Sequence, residues 1–271
     1  MKLKKLYSYK TRRQIWRLLL SDGNRLIIED RDTQLKEVFF SCFNALTGKK
    51  LFLDLQLEEK FWIGIESVYK EIIFFHKFQK PDMPGHKEII AFSIDQQKVL
   101  WRNDYYNFLF VKDDKVYTFK QRFESRDFYT LDIMTGEMIE ELGTDPVQIN
   151  SMRENLYSAD HYKNYYFPET LSSDSFDPVS YNFIQNYVDE NVTGNIEYIR
   201  FGDLLLMNYH KKDTGFLTNS FYVLDINNRK LVMKEVLNHI TKAVVPDSFF
   251  IKDDLLFLLK ERQQLLVFRI S

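Results

Sequence analysis

The chain alternates short apolar runs with polar turns. Four segments share one plan, an apolar strand, a tight polar turn and a second strand: Phe43–Phe52, Phe92–Trp101, Leu131–Glu140 and Leu224–Met233. Two of them place a glycine at the turn, Gly48 and Gly136, where it permits the positive φ that a short hairpin needs. The other two have Gln97 and Arg229 at that position, so we expect their turns to differ in detail.

A second kind of hairpin precedes each of these segments. Its turns are rich in Asp, Gly and Lys and lie near residues 21–24, 68–70, 112–114, 201–203 and 252–254. One unit therefore contains four strands in an antiparallel meander, and the meander recurs about five times. Four-stranded repeats of about 40–50 residues are typical of β-propeller blades.

The two ends of the chain complement each other. The last apolar runs, near residues 249–251, 255–260 and 265–270, supply three strands of a unit whose fourth strand is missing. The N-terminal segment Leu3–Tyr9 can provide that strand, which would hide an otherwise exposed sheet edge. Its basic residues are those of a charged edge strand.

The repeat spacing changes once along the chain. Equivalent positions are 49, 39, 93 and 44 residues apart, and the long interval contains residues 144–194. There, Pro146–Ser158 and Pro178–Glu190 are predicted to form helices that begin near Asp145 and Asp177. We predict a single all-β, β-propeller-like domain (1–271) of about five four-stranded blades, closed by the N-terminal strand and carrying a helical insertion at 144–194. Six blades with one degenerate are the alternative.

Composition supports the all-β prediction, and charge and hydropathy exclude some classes of function and location. The 24 Phe, 16 Tyr and 3 Trp favour pleated sheets. With 37 basic and 39 acidic residues, the chain lacks the basic excess of nucleic-acid-binding proteins, and we predict no such partner. No apolar run could span a membrane, and the basic N-terminus lacks the apolar core of a signal peptide. We therefore predict a cytoplasmic location, with Cys42 buried in its apolar stretch.

Two of the repeats carry a resemblance to a known family. The run Leu131-Asp132-Ile133-Met134-Thr135-Gly136, and Ile94-Asp95 followed by Trp101, resemble the quinoprotein-like β-propeller repeat, which reads apolar-Asp-x-x-Thr-Gly-Lys-x-x-Trp. The resemblance covers most of the chain outside 143–195 and implies a propeller. The whole also resembles an uncharacterised bacterial family, which implies no activity. We find no counterpart of the quinone-stacking Trp or the calcium site of the dehydrogenases, and predict no cofactor.

The histidines suggest one candidate site. His76 and His86 bracket Pro81–Gly85, which we predict to be a loop joining the two hairpins of the second unit. With Asp82 they could form a metal site, because imidazole and carboxylate groups are common ligands. Their spacing matches no known ligand signature. A rigid proline loop is the favoured interpretation, and no metal is predicted.

Two further candidates could bind a small polar ligand. Arg31 lies in the charged run Glu29–Asp32 and could hold a carboxyl group or a sugar, although a solvated strand end is favoured. Trp62 and Glu66 could form the aromatic platform and carboxylate of a saccharide site, although a core Trp between blades is favoured.

The leading functional hypothesis is a non-catalytic binding or protein-interaction module with an unknown protein partner. It would use a propeller face and the Tyr-rich insertion, which is either a partner-binding surface or a lid. The alternative is an enzyme or sensor that binds a small polar ligand, such as a saccharide, in the central channel. The candidate ligand-binding residues are Arg31, Trp62, Glu66, His76, Asp82 and His86.

Overall fold

The computed structural model describes all residues except Asp22, Pro81–Asp82 and Tyr157–His161. It confirms the all-β prediction, with five antiparallel sheets and two α-helices in the described part. The chain divides into two compact units, the internal unit (Arg13–Lys163) and the terminal unit (Met1–Arg12 with Asn164–Ser271). Strand β1 (Leu3–Lys10) belongs to the terminal unit. Whether the whole chain acts as one domain stays a prediction.

The internal unit contains three four-stranded meanders, each of the kind that forms a propeller blade. The first comprises β2 (Gln14–Leu20), β3 (Arg25–Asp32), β4 (Glu37–Asn44) and β5 (Lys50–Leu55). The second comprises β6 (Ile63–Tyr69), β7 (Ile72–Lys80), β8 (Met83–Ser93) and β9 (Lys98–Asn103). The third comprises β10 (Asn107–Lys112), β11 (Lys115–Gln121), β12 (Arg126–Asp132) and β13 (Met138–Gly143), and helix α1 (Pro146–Leu156) follows it.

The terminal unit contains two five-stranded sheets. It begins with the two-residue strands β14 (Tyr165–Tyr166) and β15 (Glu169–Thr170), a 3-10 turn (Ser173–Ser175) and helix α2 (Pro178–Gln185). A long meander follows, made of β16 (Val192–Phe201), β17 (Leu204–Asp213), β18 (Phe216–Asp225) and β19 (Lys230–Thr241). The last strands are β20 (Phe249–Lys252), β21 (Leu255–Lys260) and β22 (Gln264–Ile270). The sheet orders are β15-β16-β17-β18-β19 and β1-β22-β21-β20-β14.

The N-terminal strand completes the last meander, as the sequence predicts. Strand β1 pairs antiparallel with β22 from Leu3 opposite Ile270 to Lys10 opposite Gln264. It is the outermost strand of that sheet. This position explains its basic residues, because charged side chains protect an edge strand from pairing with other chains.

The four repeated turns share one backbone conformation. Gly48 and Gly136 have a φ of 71°, and Gln97 and Arg229 have φ values of 51° and 47°. All four residues are therefore left-handed, and the expectation that the copies without glycine differ is wrong in this respect. In each copy, a side chain four residues earlier accepts hydrogen bonds from turn amides: Asn44, Ser93, Asp132 and Asp225. Such side-chain acceptors stabilise tight turns.

The insertion adds edge strands and covering helices. Its described residues form no sheet of their own, since β14 pairs with β20 and β15 pairs with β16; this supports five blades rather than six. The side chain of Asp177 accepts from two amides at the start of α2, as predicted. Helix α2 ends at Gln185 rather than Glu190, because residues 186–188 close it with short-range turn bonds. The predicted end of the first helix, Ser158, lies outside the described residues.

Apolar cores lie between neighbouring sheets. In the internal unit, Phe40 meets Phe75 with ring centroids 4.6 Å apart, and in the terminal unit Phe221 meets Phe249 at 5.0 Å. Helix α2 buries Ile184 against the sheet that contains β17 and β18. Cys42 is buried as predicted, and burial raises its thiol pKa to about 12. No helix in the described part of the chain is long and apolar enough to cross a membrane.

Candidate functional site

Three polar side chains from consecutive strands meet on one face of the second sheet. Glu66 lies on β6, His76 on β7 and His86 on β8. A β-bulge between Ile65 and Ser67 makes Glu66 the extra residue in the pairing of β6 with β7. Bulges re-aim side chains and are common beside active sites. Here the carboxylate of Glu66 lies against both imidazole rings.

One carboxylate oxygen contacts both histidines. Oε1 of Glu66 lies 2.6 Å from Nδ1 of His86 and 3.2 Å from Nδ1 of His76. The two rings are stacked, with centroids 3.5 Å apart and planes within 7°. The side chain of His76 is 4% exposed and that of His86 is 42% exposed. The cluster therefore has a buried side at His76 and an open side at His86.

Two neighbours fix the position of His76. Gly64 is its partner across the strands, and a Cβ atom at Gly64 would lie 3.0 Å from Cε1 and 3.1 Å from Nε2 of His76. The ring of Phe78 meets His76 and His86 edge-on, at centroid distances of 5.0 and 5.6 Å. The position of His76 therefore requires the absence of a side chain at Gly64 and is further fixed by packing against the ring of Phe78.

Glu66 and His76 differ in how well their polar groups are stabilised. Burial acts to raise the pKa of Glu66, but its contacts with His76 and His86 outweigh burial and hold that pKa below its usual value. Glu66 is therefore an anion at neutral pH. Neither ring nitrogen of His76 makes a well-aligned hydrogen bond to any residue that the structure describes. The cluster thus combines a buried anion with a buried imidazole that lacks a good partner.

Arg31 borders the cluster but is already engaged. Its Nε donates to Glu29 at 2.7 Å, and its other nitrogens donate to the carbonyl oxygens of Phe61 and Ile63 at 3.1 and 2.7 Å. The favoured interpretation, a solvated strand end with a local ion pair, is right about the ion pair but wrong about solvation, since Glu29 and Arg31 are 1% and 9% exposed. The reason is that β6 is an edge strand, and its carbonyl groups need donors from elsewhere.

The other candidates are placed less directly. Trp62 is half-buried and meets Phe61 and Phe78 at ring distances of 5.0 and 6.2 Å, so it reaches the cluster only through Phe78. Asp82 lies outside the described residues. His76 and His86 lie on paired strands. The bounds of the predicted loop, Pro81–Gly85, are wrong, because Met83–Gly85 belong to β8 and pairing of β7 with β8 extends to Lys80 and Met83.

Two imidazoles and one carboxylate are a ligand set of divalent transition metals. The three ligand atoms lie within 4.8 Å of one another. Stacked imidazoles have parallel lone pairs, so one ring must turn before both can reach one ion. His86 is on the open side and has room to turn, whereas His76 is held by Gly64 and Phe78. Three protein ligands would leave a coordination position for water or another ligand.

Comparisons with known proteins give no activity. A family model described as a domain of unknown function, DUF4905, matches residues 20–101, a segment that contains the whole cluster. No curated protein matches the chain. The crystal structure of an uncharacterised protein from Listeria monocytogenes EGD-e is similar at 9% identity over 94% of both chains, with a TM-score of 0.38. None of these points to the quinoprotein-like propellers, and that relationship stays a prediction.

Sequence reasoning found the three cluster residues but grouped them differently. It assigned Glu66 to Trp62 and the histidines to Asp82. Gly64 and Phe78 were missed, although alternation along β6 and β7 places them on the face of Glu66 and His76. That alternation was the available signal.

Proposed function

We propose that this chain is a metal-binding protein in which Glu66, His76 and His86 hold a divalent transition-metal ion. The observation that carries the proposal is the buried His76: its Nε2 has no hydrogen-bond partner among the described residues, and its Nδ1 has only a poorly aligned contact, 3.2 Å long, with the carboxylate of Glu66 that it shares with His86. An unpartnered buried polar group costs about 1–3 kcal/mol. A bound metal ion would supply the missing partner.

The chemistry of the ligands selects the class of metal. Imidazole nitrogens suit Zn²⁺, Ni²⁺, Cu²⁺ and Fe²⁺, whereas Ca²⁺ and Mg²⁺ prefer a set made only of oxygen atoms. Protons compete with metal for the imidazoles. We therefore expect affinity for the ion to fall as the pH is lowered.

Calorimetric titration of the chelator-treated protein with Zn²⁺ tests the proposal. We expect one ion per chain, and a loss of at least about tenfold in affinity for His86→Ala and Glu66→Gln. His239→Ala is the matched control, because His239 is an exposed histidine outside the cluster, and it should bind Zn²⁺ like the wild type. Equal binding by His86→Ala, or no saturable heat in the wild type, would refute the proposal.

Protein interaction is a second candidate function, supported by exposed aromatic residues of the insertion. Phe167 is 52% exposed and stacks on Tyr165 at 5.7 Å. Exposed aromatic surfaces are typical of interaction sites. A partner captured by the wild type should be lost from Phe167→Ser but kept by Val179→Ser, since Val179 is equally exposed at 53%. Capture of the same partner by both variants would contradict this function.

A further inference from the structure

A second group of buried polar side chains lies in the terminal unit, on one face of the sheet that contains β16 to β19. His210, Asn219 and Asn238 are cross-strand neighbours in one row. Glu197 and Asn208 are opposite each other in an adjacent row. Because cross-strand partners point to the same face of a sheet, these side chains form one polar surface, in which Glu197 is half-buried and which is bordered by Phe221, the partner of Asn208 on β18.

Segment 242–248 runs over this surface. The backbone N–H of Val245 donates to Nε2 of His210 at 3.1 Å. The hydroxyl of Ser248 accepts from Nδ2 of Asn219 at 3.0 Å and donates to the carbonyl oxygen of Val245 at 3.1 Å. Pro246 and Asp247 lie between these two residues; Asp247 is exposed, and its negative charge acts on Glu197.

Two amide oxygens on this surface have no partner. Asn208 is 1% exposed, and neither its Oδ1 nor its Nδ2 makes a hydrogen bond to a described residue. Asn219 is fully buried, and its Oδ1 also has no partner among these residues. Since buried polar atoms in folded proteins are nearly always satisfied, these three unpartnered atoms on adjacent strands indicate a bound group, and a cation would satisfy the two Oδ1 acceptors while Nδ2 of Asn208 could donate to a water that the cation holds.

The carboxylates of Glu197 and Asp247 bring negative charge to this group of side chains. Glu197 is opposite Asn208, and burial together with the negative charge of Asp247 raises the pKa of Glu197. No basic side chain of the described chain contributes a compensating effect at Glu197. The two acidic groups therefore repel each other beside two unpartnered amide oxygens.

We propose that Glu197, Asn208, Asn219 and Asp247 form a binding site for a hard divalent cation of the Ca²⁺ class. Ca²⁺ takes carboxylate and amide oxygens and completes its shell with carbonyl groups and water. Two carboxylates balance its charge, and the Oδ1 atoms of the two asparagines gain the partner that they lack. The ligands come from β16, β17, β18 and the segment before β20. This all-oxygen set differs in kind from the imidazole cluster of the internal unit.

Titration of the chelator-treated full chain with CaCl2 tests this site. We expect saturable binding with a Kd between about 10 μM and 1 mM and a Tm that rises with Ca²⁺ concentration, because a ligand of the folded state stabilises it by mass action. Glu197→Gln should weaken the affinity at least about tenfold. His86→Ala should leave the Ca²⁺ response intact, and Glu197→Gln should leave the Zn²⁺ response intact.

The variant Asn208→Leu tests whether Asn208 is a cation ligand or only supports the fold. Replacing an unpartnered buried amide with an apolar group of similar size should keep or raise the Tm in chelator, while the Ca²⁺-dependent rise in Tm shrinks. If Asn208 only supports the fold, the Tm in chelator falls and the Ca²⁺ response is unchanged. That result overturns the proposal, as does an absence of any response up to about 10 mM Ca²⁺ or an equal response in Glu197→Gln.

Discussion

Gly64→Ala should destabilise the protein because the new methyl group meets a side chain that cannot move. The Cβ atom would lie 3.0 Å from Cε1 and 3.1 Å from Nε2 of His76, while Arg31 at 3.7 Å stays at ordinary contact distance. His76 is 3% exposed and packs against Phe78 and His86. Gly64 has no left-handed φ, so the backbone accepts alanine and the effect is purely steric.

The magnitude follows from two opposing contributions. Overpacking a buried contact costs about 1–3 kcal/mol, whereas replacing glycine by alanine at a compatible backbone stabilises by about 0.4–1 kcal/mol through the unfolded chain. The steric cost is larger, so we expect a net loss of about 1–2 kcal/mol. For a chain of this size, that corresponds to a fall in Tm of about 2–6 °C.

A double-mutant cycle in chelator isolates the contact. In a His76→Ala background the clash disappears, and Gly64→Ala should become neutral or stabilising, which gives a coupling energy of about 1–3 kcal/mol. Gly85→Ala is a matched control, because its Cβ would lie 3.0 Å from Oε1 of Gln79, the end of an exposed and flexible side chain. An equal loss of Tm for Gly64→Ala in both backgrounds would refute the reasoning.

Two further variants test other parts of the fold. Gly136→Ala should lower the free energy of unfolding by at least about 1 kcal/mol more than Gly143→Ala. The two glycines have φ values of 71° and 79°, and such a conformation disfavours alanine by about 1–2 kcal/mol at either position. Of the two, only Gly136 has a ring in the way, because its Cβ would lie 2.5 Å from Cδ2 of Trp101. Urea unfolding of the pair measures this, and equal losses would contradict it. Burial lowers the pKa of His210 below 6.5, so the unfolded chain takes up its proton first and stability should fall as the pH drops below about 6.5. His210→Gln should flatten that fall in a series of Tm values from pH 7.5 to 5, and an unchanged slope would count against the explanation.

The strand pattern was predictable because it rests on local chemistry. Alternating apolar residues specify strands, and the repeated turn needs only an acceptor four residues before a left-handed position. Asn44 and Asp132 are the acceptors in the two turns with glycine. Ser93 and Asp225 are the acceptors in the turns where Gln97 and Arg229 adopt a positive φ. The pairing of β1 with β22 was predictable for a similar reason, since an incomplete meander and a spare strand are both visible in the sequence.

The burial of Arg31 was not predictable from its own segment. A charged run at the end of a strand is normally solvated, and only the neighbouring sheet shows why this one is not. Arg31 donates to the carbonyl oxygens of Phe61 and Ile63, and Arg17 donates to that of Ile65. The carbonyl groups of Ile63 and Ile65 lie on the free edge of β6, and that of Phe61 lies just before this strand, so two arginines from the preceding sheet provide the donors that a further strand would provide.

Both candidate sites lie where a sheet departs from regular pairing. Register shifts isolate Glu66 on β6 and flank Asn219 on β18, and no pattern of residue types marks such positions. At these places the strands bury imidazole, amide and carboxylate groups. An apolar residue of similar shape would be nearly neutral or stabilising there, whereas an unpartnered polar group costs about 1–3 kcal/mol. Stability alone therefore does not account for His76 or Asn208, and the two proposed ligands would supply the partners that they lack.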